Sequence, residues 1–249
     1  MGATVCAAVA ADPELDLVAA VDPQQAGVDL RDALGLDGGV RIASEAGALA
    51  DADAQVAVDF THIEAARSNL RWCAEHSVHA VVGTSGFGDA DFAELAASFT
   101  TSNCIVAPNF AVGAVLMMRF AELAAPWFET AEIIELHHDQ KIDAPSGTAM
   151  MTARLMADAS ANWGADPTTK VVVEGARGGE GPAGIRVHSV RLLGLVAHQE
   201  VLLGTAGQSL SIRHDTYDRT SFMPGVLLAV KAVGEHPGVT VGLDALLGL

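Results

Sequence analysis

The sequence predicts an α/β chain in two parts: a parallel sheet flanked by helices, and an α+β domain built on a mixed or antiparallel sheet. Three observations carry this. Short apolar runs alternate with helical stretches up to about residue 110, the alternation stops past Val112, and three runs of alternating residues crowd between residues 185 and 214.

In chain order, MGATVCAAVAA reads as an apolar helix broken at Asp12-Pro13, since proline cannot continue the backbone ladder. Residues 15–21 read as a strand ending on acidic Asp22, and a loop rich in Asp and Gly follows. Further strand-like runs cover 55–60, 78–83 and 103–107. Between them, HIEAARSNLRWCAEH and DADFAELAASF place apolar residues three and four apart, as helices do. This alternation makes βαβ units and a parallel sheet with helices on its faces. Past Val112, a helix (GAVLMMRFAELAAPWF) leads into the strand AEIIELHH, a polar loop, and a second helix beginning near Ser146. A Gly-rich stretch precedes IRVHSVRLLG, HQEVLLG and QSLSIRH, the last two joined through TAG as a hairpin. Finally SFMPGVLLAVKAVGEH is helical, with an apolar face suited to the first sheet. The expected domains are therefore 1–111 with 221–249, and 112–220.

With 249 residues, half of them hydrophobic, the chain can bury a sizeable core. A formal charge of -17 disfavours nucleic acid and anionic lipid as partners. No apolar run is long enough to span a membrane and the start lacks a secretory signal, so the expectation is a cytoplasmic protein. Cys6, Cys73 and Cys104 lie far apart without CxxC spacing, which argues against disulfides or a zinc site.

Ligands of open parallel sheets bind outside the carboxyl ends of the strands. Those ends read Asp22, Asp59-Phe60-Thr61, Gly83-Thr84-Ser85-Gly86, and Pro108-Asn109-Phe110 after Ala107. Each alone could be a turn or helix cap. Four in succession suggest a Rossmann-like dinucleotide site, with Asp22 accepting from ribose hydroxyls.

The second constellation is ELHHDQKIDAPSGTAMMTARL. It sets His137 and His138 at a strand end, Lys141 in a loop, and Ser146-Gly147-Thr148 at a helix start, where free amides suit a carboxylate or phosphate. In an acidic chain this predicts a pocket for a small dianion with an acid catalyst at hand. The alternatives are a metal pair, a solvated lysine and a plain helix cap. Adjacent strand residues point to opposite faces and no third ligand follows, so no metal is expected.

With VDFTH, VVGTSGF, APNFAVGAVL, ELHHDQKIDAPSGTA, LVAHQEVLLGT and RTSFMPGVLLAV, the sequence resembles the dihydrodipicolinate reductase family, and actinobacterial members most. The resemblance implies a nucleotide domain and a substrate domain, homotetramers assembled through the latter's sheet, and NADH or NADPH as cofactor. It implies reduction of 4-hydroxy-tetrahydrodipicolinate, a small dianionic ring, in lysine and diaminopimelate biosynthesis. It makes His137 the general acid, Lys141 a second proton donor, His138 a substrate contact, and Gly147 with Thr148 the holders of a ring carboxylate. Asp22, Phe60, Thr61, Gly83, Thr84, Ser85, Ala107, Pro108, Asn109 and Phe110 would form the cofactor side, with Ser85 where family members usually carry Thr. The family also begins with a strand and a glycine loop, of which Met1-Gly2 match only the last two positions. The expectation is that this first strand is missing and that Met1 is an internal methionine of the loop. Two other functions compete: a semialdehyde dehydrogenase, which would need a nucleophilic cysteine near the histidines, and a non-catalytic paralogue or binding protein that has lost its cofactor loop.

Overall fold

In the computed structural model, which describes residues 1–249, the opening apolar segment forms α1 (Gly2–Ala11) and ends at Asp12, one residue before Pro13. The strand expected over residues 15–21 shortens to β1 (Ala20–Val21). Its partner explains this: β1 pairs in parallel only with the two residues of β2 (Ile42–Ala43), and a strand extends no further than its ladder. The Asp- and Gly-rich stretch also contains α2 (Leu30–Leu34), capped by the Asp29 carboxylate on the Arg31 N–H at 2.9 Å, and α3 (Gly47–Asp51). Neither is long enough to show a periodic signature.

Residues 56–106 follow the expected alternation: β3 (Val56–Asp59), α4 (Ile63–Glu75), β4 (His79–Val82), α5 (Asp89–Ser98) and β5 (Cys104–Val106). Ala80, Val81 and Val82 are all buried, so both faces of β4 are covered, which is why its run shows no polar alternation. Helix α4 buries Ala66, Leu70, Cys73 and Ala74, a stripe at helical spacing that faces the sheet, with Leu95, Phe99 and Val106 in the same core. His62 caps α4 by accepting the Ala65 N–H at 3.3 Å, and Glu64 lies in the first turn, where the helix dipole favours negative charge.

A second architecture then begins: α6 (Val112–Ala124), β6 (Thr130–His137), α7 (Gly147–Ala159), β7 (Gly179–Glu180), β8 (Arg186–Arg191), β9 (Ala197–Thr205) and β10 (Gln208–Thr216). The five strands form a mixed sheet in the order β10-β9-β6-β8-β7, with β6 and β8 parallel and the other pairs antiparallel. The expected hairpin joins β9 to β10, Thr205 pairing with Gln208. Ile133, Val187, Val201 and Leu203 pack against Ala121, Ala149, Ala153 and Met156 of the two helices.

The chain returns through α8 (Met223–Ala232), β11 (Val239–Val241) and α9 (Asp244–Leu247). Strand β11 pairs in parallel with β5 to complete a four-stranded parallel sheet, β11-β5-β4-β3, whereas β1 and β2 form a separate sheet. The two units are thus Met1–Phe110 with Phe222–Leu249, and Ala111–Ser221. No helix is long and apolar enough to cross a membrane.

The return is closely fitted. A Cβ at Gly225 of α8 would stand 2.2 Å from the Phe110 carbonyl oxygen and 2.9 Å from Leu243 Cδ1, so only glycine fits. Gly225→Ala is expected to cost about 1–3 kcal/mol through overpacking. Chemical denaturation checks this, and an unchanged midpoint would mean that α8 does not seat against Phe110.

Candidate active site

Strand β6 lies at the centre of the mixed sheet, and the two-residue repeat puts Ile133, Glu135 and His137 on one face. Ile133 belongs to the core. Glu135 takes the next core position, with its side chain at 0% exposure, where a carboxylate requires a counter-charge and several hydrogen bonds.

Both come from neighbouring segments. Arg191, the ladder partner of His137 on β8, donates from Nη1 to Glu135 Oε2 at 2.9 Å and from Nη2 to Oε1 at 2.8 Å. This two-point pairing is the strong geometry for guanidinium and carboxylate. The Ser146 N–H donates to Oε1 at 3.2 Å, and Oε2 lies 2.6 Å from Nδ1 of His137. Burial pushes the Glu135 carboxyl up, but the Arg191 guanidinium, with bonds from Ser189 and His137, outweighs it and holds the group below its ordinary range.

His137 is 16% exposed at its side chain. Burial lowers its pKa most; the Glu135 hydrogen bond and charge oppose this, and the positive charges of Lys141 and Arg191 add to the lowering. At neutral pH the ring is therefore uncharged. Against an ionised carboxylate, the bond assigns the proton to Nδ1 and leaves Nε2 for proton exchange.

The following loop is tied back to the same cluster. Arg191 Nη2 also donates to the Asp143 carbonyl at 2.7 Å, and Lys141 Nζ reaches the two Asp143 carboxylate oxygens at 2.7 and 2.9 Å. That lysine hydrogen bond holds the Asp143 carboxyl below its ordinary range. After the cis Ala144-Pro145 bond, Ser146 caps α7, its Oγ accepting the Ala149 N–H at 3.2 Å. A Cβ at Gly147 would meet nothing within 4 Å, so the approach to the helix start is open. Its first turn is also fixed from below: Gln199 Nε2 donates to Thr152 Oγ1 at 2.7 Å, which donates to the Thr148 carbonyl at 2.8 Å.

The structure thus gathers His137, Lys141, Gly147 and Thr148 around one loop, while His138 lies just beyond β6 and is exposed. Sequence reasoning missed Glu135 and Arg191. A signal for Glu135 was present: a charged residue two places from Ile133 and two from His137 falls on the core face.

The strand ends of the other unit form a second polar cluster, organised by Asp59. This residue is 8% exposed, and its Oδ1 accepts from the Thr61 N–H and hydroxyl, both at 2.8 Å, and from the Thr84 hydroxyl at 3.1 Å. Oδ2 accepts from Asn69 at 2.7 Å. The Phe60 ring lies over Gly83, where a Cβ would be 2.0 Å from the ring, and tilts against Phe110 at 5.6 Å between centroids. Gly83 is thus required by Phe60 itself. Thr84, Ala107 and Phe110 are buried behind the edge, and the Ala107 N–H completes a ladder bond to Val82. Thr61, Ser85 and Pro108 are exposed, and Asp22, Phe60 and Asn109 half-buried. Asp22 Oδ1 accepts the Gln24 N–H at 2.9 Å in a local turn. Exposed hydroxyls and a carboxylate oxygen along parallel strand ends fit the sugar and amide edges of a dinucleotide.

Two family models match the chain: "Dihydrodipicolinate reductase, N-terminus" over residues 1–110 and "Dihydrodipicolinate reductase, C-terminus" over residues 113–247. The 4-hydroxy-tetrahydrodipicolinate reductase of Nocardia farcinica is 51% identical over 256 residues, covering 100% of this chain and 95% of its own. That of Mycolicibacterium vanbaalenii is 51% identical over 228 residues, covering 90% and 93%. Among solved structures, a dipicolinate-bound dihydrodipicolinate reductase from Paenisporosarcina sp. TG-14 superposes with a TM-score of 0.85 at 39% identity, covering 97% of this chain and 93% of that one.

Proposed function

Because the chain belongs to the dihydrodipicolinate reductase family, we propose that the cluster around His137 and Lys141 is the substrate side of its active site. The enzyme is an NAD(P)H-dependent oxidoreductase that converts 4-hydroxy-tetrahydrodipicolinate to tetrahydrodipicolinate in lysine and diaminopimelate biosynthesis. The observation that carries the site assignment is the His137 ring, held by a buried carboxylate beside Lys141 and an open, capped helix start.

When bound, the reduced nicotinamide supplies a hydride to carbon 4 of the ring after the 4-hydroxyl has left as water. The chain's own residues bind, orient and balance charge. The start of α7 at Gly147, with the Thr148 hydroxyl, receives a ring carboxylate. The negative charge arriving with the substrate raises the proton affinity of His137. Reduction of the conjugated ring calls for a proton, which His137 Nε2 delivers, with Lys141 as second donor once it leaves Asp143. On the cofactor side, Asp22 is suited to a free ribose 2'-hydroxyl, with Phe60, Thr61, Ser85, Pro108 and Asn109 along the exposed edge and Gly83, Thr84, Ala107 and Phe110 supporting them.

Oxidation of NADH and of NADPH by freshly generated 4-hydroxy-tetrahydrodipicolinate, followed by absorbance, tests the reading. Turnover with neither cofactor would overturn it. Lys141→Ala is expected to lower kcat roughly 100-fold with cofactor affinity unchanged. Thr148→Ala should chiefly raise KM, and a fall in kcat alone would refute its role in holding substrate. We also propose a homotetramer in the cytoplasm, assembled through the mixed sheet. Exposed Leu202 of β9, on the face of the sheet opposite buried Leu203, supports such a covered face, and light scattering that finds monomers would exclude it.

A further inference from the structure

We propose that Glu135 is a positioning residue for the reduction: it holds His137 by Nδ1, fixes the ring's tautomer, and directs proton delivery to Nε2. This rests on the reading of His137 as proton donor.

The geometry separates this role from that of a simple buried ion pair. Arg191 alone gives each Glu135 oxygen a charged donor, at 2.8 and 2.9 Å, yet the carboxylate also makes a bond of 2.6 Å to His137. A buried ion pair is a poor means of gaining stability, because apolar residues of similar size often serve as well or better. Its position here, one turn of the strand repeat from His137, gives it another use. The Ser146 N–H on Oε1 and the Arg191 bond to the Asp143 carbonyl fix the carboxylate relative to the start of α7, so ring and proposed carboxylate site share one support.

The charges around His137 are unequal. Arg191 faces it from β8 and Lys141 from the loop, where Lys141 is paired with Asp143; β9 brings Ala197 as ladder partner and neutral Gln199 one repeat away, and α7 brings Ser146. Glu135 is the only one of these that opposes the two cations on the ring through a direct bond. Removing its charge should lower the pKa of His137 further and release Nδ1.

Histidine side-chain nitrogen shifts, measured on the intact protein, read this directly, with the His137 signal identified by its loss in His137→Gln. The wild type is expected to show the Nδ1-protonated tautomer above its pKa. In Glu135→Gln, the ring titration and the alkaline limb of kcat/KM should both move down by about 1–2 pH units. An Nε2-protonated wild type, or a variant with unmoved titration, would overturn the proposal. Should Glu135→Gln fail to fold, the wild-type tautomer still decides. The spectra need no substrate, so the two readings fail separately: an Nδ1 tautomer without NAD(P)H turnover refutes the activity, whereas turnover with an Nε2 tautomer refutes the role of Glu135.

Discussion

His137→Gln is expected to lower kcat by about 100- to 10,000-fold, the range over which a positioned proton donor contributes. Glutamine keeps a polar group that can meet Glu135, so the neighbouring structure should hold, but it has no exchangeable proton of suitable acidity. The dissociation constant of NADH or NADPH, measured by fluorescence quenching, should change little. A variant that loses cofactor affinity while retaining kcat would place His137 in binding and leave the proton without a source.

The largest expected effect on stability comes from Arg191→Met. Glu135 is fully buried, and the substitution removes its guanidinium partner, a loss of about 3–5 kcal/mol for a broken buried pair. The effect has a defined pH dependence. In the wild type, the folded-state pKa of Glu135 lies below the unfolded value, so its contribution is present above the unfolded pKa and fades as pH falls through the folded one. In the variant, burial dominates and raises the folded pKa above the unfolded value. Stability is then lost as pH rises from the unfolded pKa to the raised one. The deficit should therefore be greatest near neutral pH and narrow in acid. Urea unfolding at pH 7 and near pH 4 checks this, and a deficit that is uniform with pH would mean that Glu135 does not stay buried and charged.

How much was readable in advance followed from the range of the signals. Strands β3 to β6 and β8 to β10 and helices α4 to α8 carry apolar runs or a helical repeat, and the structure realises them, whereas the short β7 and β11 carry no such signal and were not expected. Strands β1 and β2, two residues each, leave no comparable pattern, and residues 15–18 lack a partner that would extend β1. His137, Lys141 and the helix start at Ser146 lie within one short stretch of sequence, so their association could be read locally. Arg191 could not be found in this way, because it reaches Glu135 across 56 residues and only the β6–β8 ladder brings them together. Glu135 was overlooked because alternation was read for apolar residues, although its period was correct. At the other strand ends, residue types were legible but their exposure was not: Thr84, with its hydroxyl directed to Asp59, looks in sequence no different from exposed Ser85.

The pairing of β5 with β11 also constrains how the nascent chain can fold. The contact between Asn103 and Gly238 at the start of this pairing spans 135 residues. At about 5–20 residues per second of synthesis, β5 leaves the ribosome on the order of ten seconds before its edge partner exists. Ala111–Ser221 is contiguous and can close in that interval, whereas the parallel sheet keeps an apolar edge uncovered until β11 emerges. Stalled or prematurely released chains should therefore expose this edge, recruit chaperones or aggregate, even when the inserted unit is already folded.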